Sequence, residues 1–254
     1  MSEKITFKDY ESSVSDLLNI INAGSVFAGE QRIIIKPNLI TDKPFPVTTP
    51  PDIIKALISY IQRTSSAEII IAEGNGHPSK STWEMFSILG YNELARKNQV
   101  KLIDLNEETL EKLEKPHLSV FKEFYVPKVL SEGYLISVPV LKAHSFSTVT
   151  LSLKNMLGIA PPKYYGNGGS WKKSIFHREM EQSIIEVNHY VKPDMALLDA
   201  TVGLPSYHLG GKTCDPPVNK LVAGYDAVEV DREGASLLGF DPDNIPHLLN
   251  SAYS

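Results

Sequence analysis

Four short segments place polar or charged residues directly after runs that read as buried strands. They are Lys36-Pro37-Asn38, Glu73-Gly74-Asn75-Gly76, Lys142-Ala143-His144 and Asp199-Ala200-Thr201. In an open, largely parallel sheet, ligands bind outside the carboxyl ends of the strands. These segments would line that edge with lysines, asparagines, a histidine and two carboxylates. Lys142 and His144 are two apart, so in extended chain they point to the same face. A lysine beside an imidazole favours the neutral ring, the state a proton-abstracting group needs near pH 7.

A second group follows in Thr150-Leu-Ser-Leu-Lys-Asn155. Read as part of a helix over 148–158 closed by Gly158, it puts Thr150 and Lys154 on one face. Lys154 and Asn155 then suit a phosphate or carboxylate. His177 falls inside an apparent long helix over 172–191, one turn before Glu181, where an ordinary i, i+4 pair is the simplest reading. The candidate catalytic residues are His144, Lys142 and His177. Lys36, Asn38, Lys154 and Asn155 are candidate anion binders, and Asp199 and Glu73 are candidate orienting groups or metal ligands. Each has a plainer reading: a solvated strand end, a turn-former or a satisfied surface histidine.

Two phosphate-binding motifs fail on single residues. A GxGxxG starting at Gly74 needs glycine where Ser79 stands, and a P-loop ending in Gly211-Lys212-Thr213 needs glycine where Ser206 stands. No spacing rule identifies a metal site.

The elements that would position these residues alternate. Apolar runs at 32–35, 67–72, 100–104, 134–141, 195–199 and 220–223 read as strands. Helical spacing occupies 52–64, 83–97 with a break near Gly90, 172–191, 226–238 and 246–252. Asp226 suits the N-cap position before Glu229. The fold class is α/β, a layered mixed, largely parallel sheet flanked by helices, and residues 1–254 read as one domain. The Tyr- and Gly-rich stretch 161–170, with Tyr164, Tyr165 and Trp171, suits a loop closing over a ligand.

Composition narrows the function. The chain has 254 residues, 25 Lys plus Arg against 30 Asp plus Glu, and a net charge of −5. That balance disfavours bulk nucleic-acid binding. One cysteine, Cys214, rules out a four-cysteine iron–sulfur or zinc site within the chain. No apolar run approaches a membrane span, and the amino-terminal segment carries no secretory pattern. A cytoplasmic location is the expectation.

Several segments together resemble the DUF362 family of bacterial and archaeal proteins. They are Lys36-Pro37-Asn38, Thr48-Thr-Pro50, Glu73-Gly-x-Gly76, Val138 to His144, Thr150 to Asn155 with Gly158, His177, Pro193-Asp194 leading to Asp199, and Asp226 to Asp231 with Gly239. The resemblance covers about residues 30–252. It implies an α/β domain and no particular reaction. Relatives often carry appended iron–sulfur modules; here any cluster must belong to a redox partner. The expected function is an enzyme acting on a small anionic metabolite by Lys/His acid–base chemistry. The alternative is a non-catalytic protein that binds an anionic ligand or cofactor and serves an iron–sulfur redox partner. The cofactor is left unassigned.

Overall fold

The computed structural model describes residues 2–249 and Tyr253. Along the chain the elements are β1 (Ser2–Thr6), α1 (Tyr10–Ile20), α2 (Ala23–Phe27), β2 (Arg32–Pro37), α3 (Pro51–Thr64), β3 (Glu68–Glu73), α4 (Thr82–Ile88), α5 (Tyr91–Asn98), β4 (Lys101–Asp104), β5 (Leu110–Glu114) and β6 (Glu123–Pro127). Then come β7 (Tyr134–Val138), β8 (Val140–His144), β9 (Thr148–Thr150), α6 (Ser152–Asn155), α7 (Pro162–Tyr165), α8 (Met180–Tyr190), β10 (Met195–Leu204), β11 (Lys220–Gly224) and α9 (Ala227–Leu237).

The main sheet runs β1-β11-β10-β7-β2-β3-β4. From β10 to β4 the neighbours are parallel, and β11 and β1 add an antiparallel edge. The central strands are apolar on both faces. Ile33 and Ile35 of β2 join one core with α1, α2 and α3, while Ile34 joins the opposite core with α8 and α9. Period-two alternation inside a continuous Ile run is what a sheet covered on both sides requires. The α/β expectation therefore holds.

The chain winds from β2 through β3 to β4 on one side, then returns to lay β7 and β10 on the other. The order reverses between β2 and β7, and in doubly wound sheets that reversal opens a crevice at the carboxyl ends of the strands.

The run 134–141 is not one strand. Pro139 has no N–H to donate and separates β7 from β8. Its carbonyl accepts from Asp199 N, and β8 continues along β10 in a shifted register. The stretch 148–158 is not one helix either. Thr148 to Thr150 pair back onto β8, with Lys142 opposite Thr150 and His144 opposite Thr148. The helix expected over 172–191 starts only at Met180, after a separate 3-10 turn at Ser174–His177. The break near Gly90 is present, with Gly90 at φ 83° between α4 and α5, and Asp226 caps α9 by accepting from Val228 N. Of the final predicted helix, Pro246–Leu248 forms a 3-10 turn, and residues 250–252 lie outside the described residues. The β5–β6 hairpin and the amino-terminal β1 and α1 add to the expected elements.

Candidate functional site

A cavity of about 400 Å³ opens at the switch point. Four lysines line it (Lys36, Lys142, Lys154 and Lys173), with three histidines (His144, His177 and His208) and one acid, Glu73. Eight of the nine residues expected from sequence are here. Asp199 is not. Its buried carboxylate accepts from the Tyr10 hydroxyl at 2.7 Å and from Thr201 N and Oγ1. It ties α1 to β10 and does not orient a histidine of the cavity.

The floor of the cavity is a closed hydrogen-bond network. Lys36 Nζ donates to Glu73 Oε1 at 3.0 Å, Asn155 Oδ1 at 3.0 Å and the Pro37 carbonyl at 3.2 Å. All three of its protons are used. Glu73 also accepts from Gly74 N and Leu39 N. Asn155 Nδ2 donates to Lys36 O and Ser137 Oγ, and its oxygen also accepts from Asn38 Nδ2. Asn38 Oδ1 in turn accepts from Lys142 Nζ at 2.7 Å. Burial pulls the Lys36 ammonium below its ordinary pKa, and the Glu73 carboxylate opposes that. Gly158 must be glycine: a Cβ there would sit 2.6 Å from Lys36 Nζ and 2.7 Å from Glu73 Oε1.

The wall is different. Lys142 Nζ holds Asn38 Oδ1 and the Val47 carbonyl, and Lys173 Nζ holds the carbonyls of Gly74 and Gly158. Each has one proton left. Lys154 has no hydrogen-bond acceptor and no ion-pair partner among the described residues. Thr150 Oγ1, Asn75 Nδ2 and His208 Nδ1, all buried at the cavity, also meet no partner. Buried polar groups are normally satisfied, so such a concentration needs an explanation. Burial lowers Lys142 to about 7, Lys154 to about 8 and Lys173 to about 7. His208 falls to about 3 through burial, then Lys154 and Lys142. His177 is lowered by burial and by Lys154.

His144 is held in one tautomer. Its Nδ1 accepts from Phe146 N at 3.0 Å and Ser147 N at 3.3 Å. The acceptor nitrogen carries no proton, so in the neutral ring the proton sits on Nε2. Burial, then Lys154 and His208, lower its pKa to about 2, with Lys142 contributing less. His144 is therefore a fixed neutral donor. The expected role of neutral base does not suit it, because the lone pair a base would use is engaged by the turn.

Lys154 and Asn155 are placed by α6, whose first two amides, Ser152 N and Leu153 N, donate to Asp231 at 2.8 Å each. Asp231 reaches them from α9, and burial raises its pKa to about 7. His177 stands on the 3-10 turn with its ring 6.0 Å from that of Phe146. Glu181, expected to pair with it, instead meets His247 Nδ1 at 2.5 Å. Of the aromatic residues expected over the mouth, only Trp171 lines the cavity. Tyr165 is core, stacked on Phe124, and Tyr164 stacks on Tyr125.

Lys173 and His208 are site residues that sequence reasoning missed. His208 lies in the irregular stretch 203–217, where no periodicity assigns a direction, and Lys173 was hidden in the expected helix. Among the described residues, no group of three His, Cys, Asp or Glu side chains is arranged to hold a metal ion. None of the described helices is long and apolar enough to cross a membrane.

The fold and site thus define a doubly wound α/β protein with a cation-lined cavity at its switch point. The sequence matches the family described as a domain of unknown function, DUF362, over residues 33–236, and the chain belongs to it. It is also 23% identical over 228 residues to a thylakoid-associated protein of Synechocystis sp., an alignment covering 85% of this chain and 65% of that protein. No solved structure matches.

Proposed function

We propose that this protein is an enzyme that binds a small carboxylate or phosphate in the cavity and moves a proton on it. The observation that carries the reading is Lys154. It is a lysine lining the cavity with no hydrogen-bond acceptor among the described residues, and burial lowers its pKa to about 8. An anion in the cavity would give Lys154 the acceptor it lacks among the described residues. It would also raise the lowered lysine pKa values, so binding takes up protons near neutral pH. His144 would present Nε2–H to a carbonyl or developing oxyanion. A neutral imidazole held as a donor polarises a carbonyl without giving up its proton. His177 is the imidazole left to carry a proton. The reaction class this supports is proton transfer next to a carbonyl, as in racemisation or isomerisation. The reducing cytoplasm is the expected setting, in keeping with a single cysteine.

The test is a thermal-shift screen of small 2-oxo and 2-hydroxy acids and sugar phosphates, followed by proton NMR of the binders in deuterium oxide. The reading predicts deuterium at the carbon next to the carbonyl, with exchange lost and binding kept in His144→Phe. Tight binding without exchange for every binder would reduce the protein to a ligand carrier. No binding at all would overturn the site.

A further inference from the structure

The reading above gives the ligand an anionic group and leaves its body open. Five rings run without a break around the mouth of the cavity. Tyr207 meets His208 at 4.8 Å between centroids, His208 meets His144 at 4.0 Å, His144 meets Phe146 at 5.9 Å, and Phe146 meets His177 at 6.0 Å. All five line the cavity. The two outermost hydrocarbon rings are bare: Phe146 is 66% exposed and Tyr207 46%. Trp171 also lines the cavity and touches His77 edge-on at 6.1 Å. Deeper in, Leu157, Phe176 and Met180 line the same space as Lys154.

A site for a bare anion needs none of this. Phosphate or a short dicarboxylate would engage the wall lysines and leave Phe146 and Tyr207 in water, where large aromatics gain nothing. A ligand pocket generally joins an apolar surface to a few placed polar groups. Here Lys154 lies close enough to His144, His177 and His208 to lower the pKa of each, and those three imidazoles belong to the belt. The imidazoles at its centre are neutral, since burial and the lysines hold His144 and His208 in that form. They can therefore stack on a ring that carries negative charge without becoming charged themselves.

We propose, resting on the anion-binding reading, that the ligand is a planar ring compound bearing a phosphate or carboxylate. The acid group sits on Lys154 and the ring lies along the belt from Tyr207 to Phe146. An aliphatic acid of equal charge and size satisfies the lysine but not the belt, because ring–ring contacts add to simple burial of area.

Calorimetric titration with matched probes tests this. The probes are phenyl phosphate, cyclohexyl phosphate and inorganic phosphate, with benzoate against cyclohexanecarboxylate as the carboxylate pair. The expected result is that each aromatic probe binds about tenfold tighter than its saturated partner. In Phe146→Leu and Tyr207→Leu that gap should close while cyclohexyl phosphate is unaffected. Both residues are on the surface, so these variants should fold, and an unchanged melting temperature checks it. Equal affinity within each pair would overturn the ring assignment and leave the anion reading standing. Failure of all five probes to bind would overturn both.

Discussion

Lys36 and Lys154 line the same cavity and differ in every respect that matters. Lys36 donates all its protons to protein atoms and sits 3.0 Å from a buried carboxylate. Lys154 donates to none among the described residues. The contrast continues next door, because Asn155, adjacent to Lys154 on α6, uses its whole amide within the floor. On the proposed reading, one turn of helix thus gives one residue to structure and its neighbour to the ligand. A cluster of polar residues at strand ends is therefore not a single functional unit. The floor is an internally satisfied network and the wall is the proposed recognition surface, and hydrogen-bond satisfaction separates them where residue type does not.

The largest expected effect tests the floor. Lys36→Met leaves Glu73 buried beside an apolar side chain, and breaking a buried pair from one side costs about 3–5 kcal/mol. The melting temperature should fall by roughly 10 °C. Lys36→Met with Glu73→Leu should recover much of the loss, as removing both charges often does. A single variant that melts like the wild type would move Lys36 from the floor to the wall.

Next is Lys154→Met. Its removal breaks no hydrogen bond among the described residues and loses only the attraction of Glu181, so the melting temperature should hold or rise. Anion affinity should fall roughly 100-fold, the scale of a charge-assisted hydrogen bond in a desolvated site. A variant that binds phosphate or phenyl phosphate normally would show that the ligand sits elsewhere.

The pH dependence sharpens the comparison further. Lys142, Lys154 and Lys173 have folded pKa values near 7 to 8, below the ordinary 10.5. Between those limits the unfolded chain binds more protons, so the stability of the free protein rises with pH from about 7 to 10.5. It is lost again as pH falls through the folded values. In denaturant titrations, Lys154→Met should show a shallower rise from pH 8 upward, and saturating anion should flatten the wild-type curve. Asp231 acts in the opposite sense. Its folded pKa is raised from 3.8 to about 7, so its contribution is full below pH 3.8 and disappears as pH rises to 7. Asp231→Asn should remove that slope. Identical slopes in wild type and variant would contradict the assignment.

The smallest effect is spectroscopic. Nitrogen NMR should show His144 as the neutral Nε2–H tautomer throughout pH 5 to 9, because Nδ1 accepts two backbone amides. Titration with a midpoint near 6 would break this part of the account.

Much of this site was legible in the sequence because its residues follow strands. A buried strand has a strong apolar signature, and the polar residue that ends it falls at the sheet edge wherever the neighbours lie. That logic found Lys36, Glu73, Lys142 and His144. It failed at Asp199, since a strand end says nothing of register, and β10 runs on to Leu204 with Asp199 inside it. It missed His208 because its segment has no periodicity to aim a side chain, and Lys173 because the helix read over 172–191 starts only at Met180. It read 148–158 as helix because Thr150 and Lys154 stand four apart and Gly158 suits a C-cap, whereas Thr148 to Thr150 fold back on β8 as the second strand of a tight hairpin. The division of floor from wall was invisible because partners such as Asn155 for Lys36 lie 119 residues away in the chain.

The central claim is that the wall, through Lys154, is an anion site standing on a self-contained floor. Calorimetry of phenyl phosphate binding in two buffers of different ionisation enthalpy, on the wild type and Lys154→Met, tests it most directly. The account predicts binding with net proton uptake at pH 7.5 in the wild type, and both signals lost in a variant that melts normally. Proton-neutral binding that survives the loss of Lys154 would contradict it.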